Sequence, residues 1–109
     1  MAKIGAATAV IHLAGATIGV RWTAPQRRAI LDSRVRLTAA LARALARASP
    51  RPATWLSASA VGYYGDTGDA WVDESSAPGR GFLADTALAW EGATRAAMDA
   101  GVRVVPLRF

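Results

Sequence analysis

Residues 53–65 read ATWLSASAVGYYG, an apolar run that passes into small hydroxyl residues and then into a glycine- and tyrosine-bearing loop. The segment Ala53–Ser59 is short, mostly apolar and ends in small side chains, which is typical of a buried strand in a parallel sheet. Ser57, Ala58 and Ser59 stand at the carboxyl end of this strand, where open α/β sheets bind their ligands. The stretch therefore predicts a strand and one wall of a binding site.

Strands and helices alternate on both sides of this run. The chain predicts a strand over Ala9–Ala14, a helix from about Thr23 to Ala48, the strand Ala53–Ser59, a helix over 82–100 and a strand over 102–109. Thr23 can cap the first helix, Pro25 suits its first turn, and Gly101 suits the residue after the second helix. This β-α-β-α-β order predicts an α/β protein with parallel strands and right-handed crossovers.

The composition limits the class of protein. The chain has 109 residues, of which 52% are hydrophobic, and it contains no cysteine and one histidine. This length predicts a single domain over 1–109, and the apolar content excludes a disordered chain. Without cysteine there is no disulfide framework, and with one histidine no Cys/His zinc site, so we predict no metal site.

The charge and the amino-terminal segment bear on partners and location. The net charge of +5 comes largely from arginine, but no recognised nucleic-acid motif is present, so we expect no nucleic-acid partner. The apolar run Ile4–Val20 is broken by glycines and by His12, which argues against a membrane helix. Lys3 followed by apolar residues also resembles a signal peptide. We expect a cytoplasmic protein.

The first helix carries one arginine that its pattern does not explain. At about 100° per residue, Arg34 falls near the middle of the apolar arc that includes Ile30 and Leu45. Because this helix begins where the first strand ends, Arg34 is predicted to point toward the ligand-binding end of the sheet. The alternative is a side chain that bonds nearby carbonyls. On the second helix, Trp90 is predicted to lie in the core and Glu91 to be a structural or solvated carboxylate.

The hydroxyl residues after the second strand could carry chemistry. Small side chains at Ser57, Ala58 and Ser59 leave room for a flat ligand, and the two hydroxyls could donate to a carbonyl or a ribose. Tyr63 and Tyr64 could supply a phenol to a polarised oxygen. The alternative is that the serines fill space and the tyrosines pack the loop.

A set of motifs in this order resembles a known family. They are His12-Leu13-Ala14-Gly15, Arg21-Trp22-Thr23, Ser33-Arg34 with Thr38, Ser57 to Gly65, and Phe82 with Trp90-Glu91. Together they resemble the middle of an atypical extended short-chain dehydrogenase/reductase. The branch is the NAD-dependent epimerase/dehydratase family, with sugar-nucleotide epimerase-like members. The resemblance covers nearly the whole chain from Ala9 onward.

The resemblance implies a partial, three-layer Rossmann-type fold that binds NAD or NADP and a small carbonyl or sugar-nucleotide substrate. It places Leu13, Ala14 and Gly15 along the cofactor and Ser59 beside the nicotinamide and the substrate. With Arg34, Ser57 and Ala58 these form the predicted cofactor-binding set, and Ser59 and Tyr63 are the predicted catalytic residues.

Two departures from the family pattern qualify this prediction. The Tyr-x-x-x-Lys pair that completes catalysis in most members falls near Leu83 and Ala87, which cannot exchange protons, so these positions do not support ordinary dehydrogenase chemistry. The glycine-rich turn that holds the pyrophosphate is also missing, since Gly5-Ala6-Ala7 has neither the spacing nor a following helix. We therefore expect a middle fragment that binds cofactor weakly or not at all by itself.

A second, non-enzymatic function is also open. Without the family's first strand beside it, the edge of Ala9–Ala14 would be bare and apolar, which invites pairing with another chain. The sequence is therefore compatible with a truncated or interaction module, including a homo-oligomer formed through this strand.

Overall fold

A computed structural model describes residues 7–109. The elements are strand β1 (Ala9–His12), helix α1 (Ala24–Arg47), strand β2 (Thr54–Ser59), a 3₁₀ helix (Val61–Tyr64), helix α2 (Phe82–Gly92), helix α3 (Arg95–Asp99) and strand β3 (Arg103–Arg108). Lys3, Gly5 and Ala6, which entered the signal-peptide and glycine-turn interpretations, lie outside the described residues.

The three strands form one parallel sheet in the order β1-β2-β3. Each crossover moves the chain in the same direction across the sheet, so right-handed connections place all the helices on one face. The predicted α/β fold with parallel strands is confirmed, and the described residues contain the sheet and one helical layer of the Rossmann-type arrangement.

Local sequence explains where α1 begins. The Thr23 side chain accepts a hydrogen bond from the Gln26 backbone N–H at 3.3 Å, and Pro25 occupies the first turn. Both residues were predicted for these positions, because a cap satisfies a free N–H and proline has none to satisfy.

The predicted second helix is wrong in one respect, because it breaks into α2 and α3. After Gly92, which has low helix propensity, the Ala93 N–H is shared between the carbonyls of Ala89 and Trp90. The Thr94 hydroxyl donates to the Glu91 carbonyl at 2.7 Å, which ties the break together. Gly101 ends α3 with a φ of 93°, as a residue after a helix often does.

The core lies between the sheet and the helices. Trp55 on β2 is fully buried against Ala42 and Leu45 of α1, with Ala97 of α3 and Val102 beside it. Side chains alternate along a strand, so Trp55, Ser57 and Ser59 all face this helical layer. The sheet register carries the same face to His12 on β1 and Arg108 on β3.

Among the described helices, none combines the length and the apolar character needed to traverse a bilayer. Within residues 7–109, no three His, Asp or Glu side chains lie close enough to hold a metal ion. The cytoplasmic location stays a prediction.

Candidate functional site

A cavity of about 440 Å³ lies at the carboxyl end of β2, between that strand and helices α1 and α2. Its walls are largely apolar and include Ile30, Leu83, Ala87 and Trp90. Pockets that hold small molecules and cofactors are typically of this size and character, with a few polar groups that orient the ligand. Here the polar side chains are those of Arg34, Ser59 and Thr86.

Ser59 reaches the cavity as the last residue of β2, and a carboxylate holds its side chain. The Ser59 hydroxyl lies 2.6 Å from Glu91 Oε2, on α2. Register pairs Ser59 with Arg108 on β3, so Arg108 lies on the same face of the sheet. Its Nε and Nη2 donate to Glu91 Oε2 and Oε1, each at 2.9 Å. This bidentate ion pair fixes the orientation of the carboxylate.

The electrostatics keep Glu91 ionised. Burial raises the pKa of Glu91, but hydrogen bonds from Arg108 and Ser59 and the positive charge of Arg108 outweigh it and hold the pKa below its ordinary value. The hydrogen bond with Glu91 raises the pKa of Arg108, against the effect of burial. An ionised carboxylate only accepts hydrogen bonds, so the Ser59 hydroxyl is the donor in its contact with Glu91.

Tyr63 and Tyr64, which follow β2, both contact the guanidinium of Arg108. The Arg108 guanidinium sits 3.7 Å from the centre of the Tyr63 ring, and Arg108 Nη1 donates to the Tyr64 hydroxyl at 3.0 Å. Neither tyrosine lines the cavity that contains Ser59. The predicted catalytic role of Tyr63 is untested by this placement; its ring packs against the cation that orients Glu91.

Arg34 satisfies both interpretations that the sequence left open. Its Nη1 donates to the carbonyls of Ala16 and Ile30 at 2.9 and 3.2 Å, as a side chain bonding nearby carbonyls would. It also lines the cavity, with its guanidinium 5.0 Å from the centre of the Trp90 ring. The local carbonyls therefore hold a cation at the wall of the cavity.

The other predicted cofactor contacts are distributed around this centre. Leu13, Ala14 and Gly15 lie in the exposed loop after β1, and a Cβ on Gly15 would come within 2.9 Å of Arg34 Cζ. Ser57 is buried beneath the helices and Ala58 is buried at the next position of β2. None of these five residues lines the cavity, and their role in binding stays a prediction.

Sequence reasoning missed the two residues that hold Ser59. Glu91 was expected to be structural or solvated, and Arg108 was not considered. One signal was available: Arg108 lies in an apolar strand, where a buried cation needs an anionic partner. Leu83 and Ala87, placed by the resemblance where the Tyr–Lys pair would stand, do line the cavity beside Ser59.

Comparison with known proteins gives consistent matches. The model of the NAD dependent epimerase/dehydratase family matches residues 1–109. An epimerase family protein of Mycobacterium tuberculosis is 46% identical over 101 residues, which are 92% of this chain and 33% of that protein. The Bacillus subtilis epimerase family protein YfhF is 35% identical over 100 residues, 91% of this chain and 33% of that protein. The chain thus spans about a third of the length of these relatives.

Solved structures show the same arrangement. A nucleoside-diphosphate sugar epimerase from Corynebacterium glutamicum, 39% identical, superposes with a TM-score of 0.84 over 99% of this chain and 23% of that one. The human epimerase family protein SDR39U1, determined with NADPH, is 31% identical and also gives 0.84, over 93% of this chain and 35% of that one.

Proposed function

The chain belongs to the NAD dependent epimerase/dehydratase family, and from this membership we propose that it forms the part of an NAD(P)-dependent oxidoreductase or epimerase that holds the nicotinamide ring of the cofactor. The substrate class we propose is a small carbonyl compound or a sugar nucleotide. The choice of cofactor is supported by the human relative, whose structure was determined with NADPH. The choice of substrate class is supported by the Corynebacterium relative, a nucleoside-diphosphate sugar epimerase.

The observation that carries the proposal is the cavity that contains Ser59. Its apolar walls, Leu83, Ala87 and Trp90, suit the faces of a planar ring, and Arg34 and Ser59 offer polar contacts in the same lining. The residues present therefore fit a nicotinamide ring, and these five would hold it. Such a cofactor, when bound, supplies hydride transfer.

Proton handling in this site rests on Ser59 and Glu91. A substrate hydroxyl next to Ser59 Oγ can pass its proton to that oxygen while the Ser59 proton moves to Glu91 Oε2, 2.6 Å away. General-base catalysis works best when the pKa of the base is near the operating pH. Because Arg108 and Ser59 outweigh burial and hold the pKa of Glu91 low, we expect slow turnover through this relay. Tyr63 stays a predicted catalytic residue.

Titration of the chain with NADH and NADPH, followed by tryptophan fluorescence, tests the proposal. Trp90 lines the cavity, so a bound dinucleotide should quench it, and Trp90→Phe should abolish the saturable part of the change. Trp71, which is 100% exposed, gives the matched control: Trp71→Phe should leave the quenching curve unchanged. We expect weak binding, in the millimolar range. Failure of both dinucleotides to quench Trp90 would contradict the assignment of this cavity, in the chain by itself, as a nicotinamide site, and micromolar binding would contradict the expected weakness of the chain by itself.

A second candidate function is self-association through β1. Within residues 7–109, β1 pairs with β2 alone, and the nearby Ile11 and Leu13 side chains are 65% and 63% exposed. A strand with an apolar, unpaired edge favours pairing with another chain. Light scattering over a range of concentrations should then show a mass that rises with concentration. Ile11→Lys should lower it, whereas Leu88→Lys on α2 should not. A monodisperse monomer would rule this function out.

A further inference from the structure

We propose that Ser59 acts as a hydrogen-bond acceptor toward the ligand, so that the group lodged against it in the cavity must be an N–H or O–H donor. The inference deepens the proposed function and rests on it, since it specifies which part of a nicotinamide or substrate the cavity selects. It also reverses the expectation from sequence that this hydroxyl donates to a carbonyl.

The first step is the direction of the Ser59–Glu91 hydrogen bond. The separation of 2.6 Å is that of a charge-assisted O–H to carboxylate bond, among the stronger hydrogen bonds in proteins. Glu91 has no proton to give while it is ionised, so the single hydrogen of Ser59 lies on this bond.

The second step is that the carboxylate cannot turn away and release the hydroxyl. Arg108 occupies both Glu91 oxygens, and its third nitrogen is held by the Tyr64 hydroxyl at 3.0 Å. The side chains of Arg108 and Glu91 are only 17% and 14% exposed, so water competes little with these bonds. The Ser59 hydroxyl therefore already donates its single hydrogen to Glu91 before any ligand binds.

The hydrogen-bonding groups that remain free in the cavity determine which ligand groups it can bind. With its hydrogen committed, Ser59 Oγ keeps lone pairs that can only accept. Arg34 lines the same cavity and carries only donors. Thr86 lines the cavity as well, and its hydroxyl can donate or accept. The acceptor of Ser59 and the cationic donor of Arg34 are complementary to a primary carboxamide, which offers an N–H₂ donor to the one and a carbonyl oxygen to the other. A substrate hydroxyl shares the donor chemistry but lacks the carbonyl.

Three small pyridines distinguish these sources. Nicotinamide has a donor N–H₂ and a carbonyl, 3-pyridinemethanol has a donor O–H alone, and 3-acetylpyridine has a carbonyl alone. Their affinities for the 109-residue chain can be measured by quenching of Trp90. One hydrogen bond corresponds to roughly 3- to 10-fold in affinity. We expect nicotinamide and 3-pyridinemethanol to bind about that much more tightly than 3-acetylpyridine, with nicotinamide favoured if the carboxamide is the true partner.

Variants of the chain sharpen the test. Ser59→Ala should bring the three affinities together, and Glu91→Gln should favour 3-acetylpyridine, because a glutamine amide can donate to Ser59 and release its proton toward the ligand. Thr38→Val, which removes a fully buried hydroxyl outside the cavity, should keep the wild-type ranking. As a readout without ligand, the Glu91 pKa measured by NMR should rise in Ser59→Ala, since a donor to the carboxylate is lost.

The outcomes separate the two proposals. Equal binding of the three pyridines, or tighter binding of 3-acetylpyridine by the wild-type chain, would overturn the acceptor role while leaving the cavity as a ring-binding site. Binding of none of them would overturn the proposed function and the inference together. An unchanged Glu91 pKa in Ser59→Ala would overturn the first step by itself.

Discussion

Two groups of buried or half-buried polar side chains lie on the same face of the sheet, and one group is hydrogen-bonded whereas the other is not. At the carboxyl end, Ser59, Glu91, Arg108 and Tyr64 form one continuous hydrogen-bonded chain, which we call the paired network. Toward the middle of the sheet, the side chains of His12, Thr38, Trp55 and Ser57 are buried without a hydrogen-bond partner among the described residues, and we call these the unpaired set.

The difference follows from charge. Burying an ion without a partner costs far more than burying a neutral hydroxyl, so charged residues are tolerated inside only where every oxygen and nitrogen is engaged. The members of the unpaired set are neutral, and burial keeps His12 so by lowering its pKa. The paired network is thus rigid and specific in its geometry, while the unpaired set contributes mainly by filling space. Substitutions in the two groups should have opposite consequences.

The largest effect should come from removing the cation of the paired network. Arg108→Met leaves Glu91 largely buried and charged without its partner, and it removes the guanidinium that packs on Tyr63. Breaking a buried ion pair typically costs 3–5 kcal/mol, and since this pair retains some exposure we expect a loss of about 3 kcal/mol in the free energy of unfolding in urea.

The chain offers a matched control for this variant. Arg95 also pairs with a carboxylate, that of Asp99 at 3.0 Å, but the two side chains are 77% and 65% exposed. Surface pairs of this kind contribute little, so Arg95→Met should cost less than about 0.5 kcal/mol. Similar losses in the two variants would mean that the paired network is no more than a surface ion pair.

A smaller loss should follow Ser59→Ala. The variant removes one hydrogen bond to a charged group, which is worth roughly 1.5–3 kcal/mol, but Arg108 still engages both Glu91 oxygens. We expect a loss near the lower bound, about 1.5 kcal/mol, measured by the same urea titration. A loss as large as that of Arg108→Met would indicate that the serine, and not the arginine, holds the network together.

Much of this fold can be predicted from local sequence, but the contrast between the paired network and the unpaired set cannot. Thr23, Pro25 and Gly101 each act within a few residues of their own position, so the start of α1 and the end of α3 were predictable. The break after Gly92 was missed because the patterned positions of the second helix run through it. The helix period did place Arg34 on the inward arc of α1, where it both bonds nearby carbonyls and lines the cavity.

The pairing of Ser59, Glu91 and Arg108 could not be predicted in this way. It depends on the register between β2 and β3 and on how α2 docks against them, and these are tertiary facts. An alternating or apolar pattern tells which face a residue occupies but not which residue of another element it meets. For the same reason, sequence pattern could not distinguish Ser59, which is hydrogen-bonded, from Ser57, which is not.

Lowering the pH should remove the stabilising contributions of His12 and Glu91 over two different pH ranges. The folded chain keeps the pKa of His12 below 6.5 through burial, so its contribution to stability is present above pH 6.5 and is lost as the pH falls through that region. Although burial opposes it, Arg108 and Ser59 hold the pKa of Glu91 below 4.5, so its contribution is present above pH 4.5 and is lost only as the pH falls further.

The free energy of unfolding measured against pH should therefore fall in two steps. His12→Leu should remove the upper step and leave the lower one, and Glu91→Gln should reduce the lower step, to which Asp73 also contributes, and leave the upper one. Each variant serves as the control for the other. A wild-type curve that is flat between pH 7 and pH 5 would show that His12 is not buried in its neutral form.

The smallest effect should come from Thr38→Val, which removes a hydroxyl of the unpaired set without changing the shape of the side chain. Thr38 is fully buried on α1, and its hydroxyl has no partner among the described residues. Replacing an unsatisfied buried hydroxyl by a methyl group removes a desolvation cost and loses no hydrogen bond, so the free energy of unfolding should stay within about 0.5 kcal/mol of wild type or rise. Ser59→Ala removes a hydroxyl of the same kind from the paired network and should move in the opposite direction. If Thr38→Val instead lost about 1.5 kcal/mol, a buried water or a side-chain partner would have to engage that hydroxyl, and the unpaired set would be a second network rather than packing.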